Sequence, residues 1–438
     1  MTVKCQQPKF VLLSLLTGIS LAGAPGCEKT SSGFLDGRDA STGPGPVTRD
    51  GDIVTPPARD GDVADVPPAP TFSKRALIEA IATCTADRYQ AFQASATVLQ
   101  ARITAYAGTL LPADLIEAQK AWRDAMALWQ EAELFQFGPA GLDTAANTAG
   151  LGLRLQIYSY PAVFRCGIDR GIVSQAYGAA TFPTLLVTVR GLAALEYLLF
   201  YTGANNQCAP GDLINKNGTW AAIDAPTLAR RRADYAVAAI NDVMTRLSTL
   251  LAAWSPGAAN FRRDFVMAGA GQKPFVTEQS ALNIVAEAIL NYTDHAIKDD
   301  KVGKPSGIDL DCLAPPCTDA LESPYAVAST DNLVHNLLGL RRIFNGCGQD
   351  GAGLGFDDWL RAVGRGTLAD RMETALSGAL QSAQTLQPPL ESAILVAPIP
   401  AARVQALHTA IKQFNDPLKS EMFSALDLVR STMETDND

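Results

Sequence analysis

Segments of helical periodicity fill most of this chain and restrict the folds that it can adopt. In residues 74–107, large apolar side chains recur at spacings that place them on one face of a long helix. Further helices are predicted at 113–137, 184–201, 227–254, 276–297, 329–345, 356–386 and 400–431. Because long helices with short connections pack as bundles, the sequence predicts an all-α protein with negligible strand content after residue 72.

Proline and glycine mark several ends of these helices. The pair Gly138-Pro139 stops the second helix, and Pro417 could break the last one. Both residue types are frequent at 302–328, which is predicted to be a long loop. The segment 184–201 is apolar nearly all round, which indicates a buried helix.

The N-terminus has the features of an export signal. Lysines precede an apolar stretch at residues 10–22, which is short for a membrane span. The run from Ala24 to Cys27 resembles a bacterial lipobox, although leucine is usual at the position of Ala24. We therefore expect residues 1–26 to be a lipoprotein signal peptide. Lipid on Cys27 would then hold the exported protein on a membrane, in the bacterial periplasm or at the cell surface. A secreted protein without lipid and a retained anchor helix are the alternatives.

Residues 27–72 are predicted to be a disordered tether. They are rich in proline, glycine and aspartate, and they contain almost no large apolar residue. Such a segment cannot bury enough apolar surface to fold. The sequence Arg-Asp-Gly-Asp occurs twice, but a complete calcium-binding loop is missing.

The charge of the chain bears on its partners. The formal net charge is −9, and the two lysines of the signal segment would be lost on export. An acidic protein without a basic stripe is a poor match for the phosphate backbone. The sequence therefore predicts no nucleic-acid partner.

The cysteines indicate disulfides. Six cysteines remain in the folded part, namely Cys84, Cys166, Cys208, Cys312, Cys317 and Cys347. An even number in an exported chain favours disulfide pairing, for which fifteen arrangements exist. Cys312 and Cys317 could close a tight loop, and Cys166 with Cys208 is the favoured pair because it would bracket the helix at 184–201. The absence of a C-x-x-C spacing argues against a cysteine zinc site.

Motifs of common enzymes are missing from the sequence. The three histidines, His295, His335 and His408, are too far apart to form an H-E-x-x-H pair or a facial triad. Neither a G-x-S-x-G elbow nor a glycine-rich phosphate loop occurs. Among the histidines, His295 is the best candidate to face a site.

The run from Arg190 to Phe200, R-G-L-A-A-L-E-Y-L-L-F, resembles the signature of the imelysin family of bacterial cell-envelope proteins. That family has Gly-x-His-x-x-Glu, and Ala193 stands at the histidine position. Residues 129–139 resemble a second family segment, with Trp129 and Glu133 matching and Gln130 in place of a usual glutamate. Weaker similarity extends the match to about residues 75–430, including the segments 157–161, 166–169, 298–305, 322–325 and 353–360.

The resemblance implies a fold and a place for the site. Imelysin-like proteins consist of two packed helical bundle domains with the motif near their junction. We accordingly expect a first bundle at 73–257 and a second at 258–434.

The resemblance also implies a site built from the two motif segments. We expect Glu196 and Glu133 to share a polar cleft that could weakly hold a divalent or ferric metal. A histidine three residues before Glu196 could ligate the same metal, whereas Ala193 cannot. The alternative is that Glu196 is a buried carboxylate held by a neighbouring arginine or lysine. The residues assigned to the motif and cleft are Arg190, Gly191, Ala193, Glu196, Trp129, Glu133 and His295.

Three functions remain open. The first is a binding protein without catalytic activity, related to iron or other metal uptake, with envelope or metal-uptake proteins as partners. The second is a metallopeptidase, which the loss of the motif histidine disfavours because catalytic zinc needs three protein ligands. The third is an envelope scaffold that keeps the motif only for packing.

Overall fold

Helices form nearly all the regular structure of the folded region. The computed structural model describes residues 72–145, 147–178, 180–256, 260–271 and 273–429, and within these ranges it contains no β-strand. The all-α prediction is confirmed. The expected signal peptide at 1–26, the lipidation site Cys27 and the tether up to residue 71 lie outside the described residues.

The helices of the described ranges follow in chain order. The first eight are α1 (Lys74–Thr109), α2 (Pro112–Ala132), α3 (Leu153–Ile157), α4 (Arg165–Ser174), α5 (Gly191–Phe200), α6 (Leu213–Lys216), α7 (Ala225–Trp254) and α8 (Phe261–Val266). The others are α9 (Glu278–Asn291), the π-helix π1 (Tyr292–Gly303), α10 (Lys304–Ser306), α11 (Ser329–Asn345), α12 (Phe356–Ala362), α13 (Gly366–Gln384), α14 (Leu390–Ala393), α15 (Ala402–Pro417), the π-helix π2 (Leu418–Met422) and α16 (Phe423–Ala425). None of these described helices has the length and apolar character needed to cross a membrane.

Two predicted boundaries are corrected, and the predicted change at Pro417 is present. The loop expected from residue 302 begins only after Ser306, because α9 continues through π1 into α10, which contains Pro305. The helix predicted at 356–386 divides into α12 and α13, with Gly364 between them at φ +77°. The last helix does change at Pro417, where π2 begins.

Two groups of long helices build the interior. In one group, α1 packs against α2 and α7, and α5 packs against α7 and α2. In the other, α13 packs against α11, α12 and α15, and π1 packs against α15. The contact of α2 with α11 joins the two groups. This contact matters for the site, since the second motif segment lies on α2.

The domain boundary stays a prediction. The described residues belong to one unit by their internal contacts. The junction predicted near residue 258 falls on residues 257–259, which are outside the described ranges.

Disulfides are present, as the cysteine count predicts. Cys166 is joined to Cys208, the favoured pair, and Cys312 to Cys317, which closes the tight loop named above. The third bridge joins Cys84 on α1 to Cys347 just after α11, across a sequence separation of 263. The third bridge thus connects helices from the two packing groups.

Candidate functional site

The motif helix α5 begins at a glycine that no other residue could replace without strain. Turns of 3-10 helix at 182–184 and 187–189 precede it, so the helix starts later than the predicted residue 184. Gly191 has φ +79°, and a Cβ atom there would lie 2.5 Å from the carbonyl oxygen of Ile157. The glycine therefore lets α5 begin against the end of α3.

Arg190 connects the motif to α7. Its guanidinium Nη1 lies 2.5 Å from Oδ2 of Asp242, and both side chains are buried. Its Nε also donates to the carbonyl oxygen of Leu185 at 3.1 Å. Arg190 thus stabilises the packing of the motif rather than pairing with Glu196.

Glu196 joins α5 to the segment before α11. Its Oε1 accepts hydrogen bonds from the backbone N–H groups of Tyr325 at 2.9 Å and Ala326 at 3.0 Å. Burial raises the pKa of Glu196 to about 7, although the Ala326 hydrogen bond and the charge of Arg165 lower it. The alternative in which an arginine or lysine holds Glu196 is met only in part, since backbone amides bind the carboxylate and Arg165 acts on it through its charge. Ala193, one turn earlier, is buried and supplies no polar group.

The second motif segment has one packing residue and one charged residue. Trp129 is buried, and its ring centroid lies 4.9 Å from that of Phe92 in the core. Glu133, which follows α2, is 1% exposed. The Nε of Arg154 donates to Oε1 of Glu133 at 2.7 Å. Glu133 therefore lies in the interior and has a cationic partner.

A lysine ammonium lies at the centre of the polar interior. Lys301 on π1 is fully buried and donates to Oε1 of Gln130 at 2.7 Å, to Oδ1 of Asn336 at 2.6 Å and to Oε1 of Glu322 at 2.8 Å. Its Nζ is 3.8 Å from Oε2 of Glu133. We name this group the ammonium cluster; it consists of Lys301, Gln130, Glu133, Arg154, Glu322 and Asn336.

Tyr158 links the ammonium cluster with Glu196. Its hydroxyl donates to Oε1 of Glu322 at 2.7 Å. Burial raises the pKa of Tyr158, and the charges of Glu322, Glu133 and Glu196 raise it further. The two motif glutamates therefore act on one buried phenol, but they are covered by protein rather than exposed in an open cleft.

The donor set does not fit a catalytic zinc ion. Within the described ranges, the only group of three His, Cys, Asp or Glu with ligand atoms within 4.8 Å of one another is Cys166, Cys208 and Asp212, and its cysteines are in a disulfide. In the ammonium cluster, Oε2 of Glu133 and Oε2 of Glu322 have no hydrogen-bond donor. Two such oxygens are fewer than the three protein ligands that catalytic zinc needs.

His295 and His335 do not belong to the ammonium cluster. His295 is on π1 but exposed, so the structure does not bring it into the ammonium cluster. His335 on α11 places Nδ1 3.2 Å from Oε1 of Glu131. The site is thus built from carboxylates, amides and two cations.

The sequence does not indicate four members of the cluster: the cations Lys301 and Arg154, the carboxylate Glu322 and the amide Asn336. Lys301 and Glu322 lie in segments that resemble the family but have no role assigned there, and no motif contains Arg154 or Asn336. Lys301 follows Ile297 by four residues, which places a lysine on the buried face of its helix. This spacing was the one signal available.

Comparisons with known proteins identify relatives of this chain. The family model for imelysin, peptidase family M75, matches residues 85–420. Iron-regulated protein A of Synechococcus elongatus is 23% identical over 339 residues, which cover 76% of this chain and 81% of that protein.

Solved structures share the fold. An iron-regulated protein A precursor of Parabacteroides distasonis superposes with a TM-score of 0.63 at 15% identity, covering 82% of this chain and 97% of the other. An imelysin-like protein of Psychrobacter arcticum gives a TM-score of 0.59 at 18% identity, covering 82% and 98%. The family match spans most of the chain, and this protein belongs to the imelysin family.

Proposed function

We propose that this chain is an exported, lipid-anchored member of the imelysin family that binds its ligand without cleaving peptides and serves iron or other metal uptake at the cell envelope. The observation that carries the proposal is the position of Lys301. Its ammonium lies 3.8 Å from Oε2 of Glu133 and 2.8 Å from Oε1 of Glu322, so a protein cation already lies beside two carboxylates that could otherwise ligate an ion.

The charge balance of the interior supports a site without a resident metal. The ammonium cluster contains the two anions Glu133 and Glu322 and the two cations Lys301 and Arg154. Its formal charge is therefore zero, and an added divalent cation would meet two positive neighbours in a medium of low dielectric constant. At most weak divalent binding is expected there.

The motif helix gives a second argument against peptidase chemistry. A zinc peptidase activates water on a metal held by three protein ligands. Position 193 is an alanine, and the Oε1 atom of Glu196 already accepts two backbone hydrogen bonds. The residues that remain provide neither the ligand number nor an open coordination position.

The connection with iron comes from relatives. The Synechococcus and Parabacteroides proteins are both described as iron-regulated protein A. The identity is low, so the role in iron or other metal uptake is carried over as part of the proposal. The lipid anchor rests on the lipobox-like run that ends at Cys27.

A pair of assays tests the catalytic part of the proposal. Purified protein is incubated with added Zn²⁺ and with casein or a fluorogenic peptide library, and we expect no cleavage above a boiled control. The Ala193→His variant provides the comparison, since histidine and Glu196 one turn apart can reach the same metal and should raise zinc affinity. Cleavage by the wild type that chelator abolishes would establish the metallopeptidase instead. Unchanged, undetectable metal binding in Ala193→His would favour a scaffold.

Fractionation tests the anchor. Wild-type protein is expected in the membrane fraction, and Cys27→Ser is expected in the soluble envelope fraction. If the variant remains membrane-bound, the lipid is not the anchor.

A further inference from the structure

A group of tyrosines and arginines lies beside Glu196 and is reachable from solvent. Tyr201 and Tyr325 are half-buried, and their ring centroids are 5.2 Å apart. The guanidinium carbon of Arg165 lies 5.3 Å from the ring centroid of Tyr325, and that of Arg232 lies 5.2 Å from the ring centroid of Tyr201. We name these four residues the tyrosine–arginine surface.

Arg165 pairs directly with no carboxylate in the described part of the chain, although its charge lowers the pKa of the nearby Glu196. Its Nε is buried and makes no hydrogen bond, and its guanidinium takes part in no ion pair there. A guanidinium ordinarily engages a carboxylate or phosphate through two parallel hydrogen bonds. An arginine held over an aromatic ring with its donors unused is preorganised to receive such a group.

The hydroxyl groups of this surface are also unused. Tyr201 and Tyr325 make no side-chain hydrogen bond in the described ranges, whereas the neighbouring Tyr197 donates to Oδ1 of Asp169 at 2.9 Å. Phenol hydroxyls and guanidinium groups together form a set of donors. Such a set suits an oxygen-rich anion rather than a bare cation.

Two half-buried guanidinium groups, those of Arg165 and Arg232, lie here in an otherwise acidic protein. The carboxylates beside them are buried and already accept hydrogen bonds, Glu196 from two backbone amides and Asp169 from Tyr197 and the backbone N–H of Gln207. The chain as a whole has a net charge of −9. An anionic ligand would therefore be repelled by most of the surface and attracted to this part of it.

We propose that the tyrosine–arginine surface binds a metal as an anionic, carboxylate-bearing chelate, with a ligand carboxylate on the guanidinium of Arg165 and the rest of the chelate against the ring of Tyr325. The inference rests on the proposed function and specifies its ligand class. It also explains how the protein could bind iron although Lys301 and Arg154 already neutralise its buried carboxylates. The metal would arrive with its own oxygen ligands, and the protein would recognise the chelate by its charge.

Calorimetric titration with ferric citrate tests this inference. The probe is prepared with excess citrate and titrated into the wild-type protein, with citrate alone as a parallel titration. We expect saturable binding of ferric citrate that is at least about tenfold tighter than that of citrate. The Arg165→Gln variant loses one bidentate, charge-assisted contact, so its affinity for ferric citrate should be about tenfold weaker or more. The affinity of Arg165→Lys should lie between those of the wild type and Arg165→Gln, because lysine keeps the charge but lacks the planar guanidinium group.

Two further variants are controls for a loss of folded structure. Tyr325→Phe keeps the ring and should weaken binding less than Arg165→Gln does. Arg102→Gln removes an exposed arginine from α1, remote in sequence from this surface, and should bind like the wild type. Undetectable ferric citrate binding, equal affinity for citrate alone, or wild-type affinity in Arg165→Gln would each overturn the inference. The peptidase assay is independent of these titrations, so failure of the ligand assignment is distinguishable from failure of the non-catalytic function.

Discussion

The ammonium nitrogen of Lys301 lies 2.8 Å from Oε1 of Glu322, and neither side chain is exposed to solvent. The two residues come from different elements, π1 and the segment before α11. Gln130 of the second motif segment contacts both, since it accepts from Lys301 at 2.7 Å and donates to Glu322 at 2.9 Å. One buried ion pair thus ties the motif segment of α2 to two later parts of the chain.

Removal of the ammonium group should strongly destabilise the protein. In Lys301→Met, two buried carboxylates lose their shared cation, and the free energy of unfolding should fall by about 3–5 kcal/mol. The measurement is urea unfolding followed by circular dichroism. The control is Lys120→Met, which changes an exposed lysine paired with Asp124 and should leave stability nearly unchanged. Equal effects of the two variants would show that Lys301 is not an essential buried cation.

The start of the motif helix should not tolerate a side chain. Gly191→Ala places a Cβ atom 2.5 Å from the carbonyl oxygen of Ile157 at a positive φ, so a loss of about 1–3 kcal/mol is expected. Gly378→Ala on α13 is the matched control, because a Cβ there meets nothing within 4 Å. That variant should be neutral or stabilised by up to about 1 kcal/mol, since alanine favours helix. The measurement is thermal unfolding of both variants. If Gly191→Ala were as stable as the wild type, steric conflict would not explain why residue 191 is a glycine.

Acid should weaken the contact between α2 and α11. Burial alone would raise the pKa of Glu131, but hydrogen bonds from His335 and Arg342 outweigh it and lower the pKa to about 2 from 4.5. A depressed carboxyl pKa stabilises the fold above about pH 4.5, and this contribution is lost as the pH falls toward about 2. Unfolding free energies measured between about pH 6 and pH 2.5 should therefore decline less steeply in Glu131→Gln. Parallel curves for the variant and the wild type would contradict the pairing.

The three disulfides should contribute unequally. In the loop-entropy account, Cys84–Cys347 with a separation of 263 residues restricts the unfolded chain more than Cys312–Cys317 with a separation of 5. Replacing both cysteines of the first pair by serine should lower the unfolding free energy more than the same change in the second pair. When the protein is denatured without reduction, thiol titration should find that none of the six cysteines of residues 72–429 is free. Six free thiols would exclude the bridges altogether.

The helices could be predicted because each is specified by local periodicity. The segment 329–345 coincides with α11, and 74–107 differs from α1 by two residues at its end. The stretch after residue 302 could not be predicted in this way, because glycine and proline there favour a loop by local rules. There the helix continues through π1 into α10, and Lys301 and Ser306 are buried. This burial depends on packing against parts of the chain that are distant in sequence.

The site was predicted in part, for a physical reason. The family resemblance indicated Glu133 and Glu196, and both are buried in the same polar interior. The partners of Glu133 lie 21 residues away at Arg154 and much farther along the chain at Lys301. No periodicity within one segment indicates a contact between segments so far apart. A lysine or arginine is also expected at the surface unless its partners are known.

Metal content most directly tests the claim that this imelysin-family site holds its own cations instead of a metal. Purified protein is incubated with excess Zn²⁺ or, without oxygen, Fe²⁺, then passed through gel filtration, and the metal per chain is counted by mass spectrometry. We predict far less than one metal per chain and the same value for Glu196→Gln. The account would be contradicted if the wild type kept about one tightly bound metal per chain and Glu196→Gln lost it, because a catalytic site would hold its metal in this way.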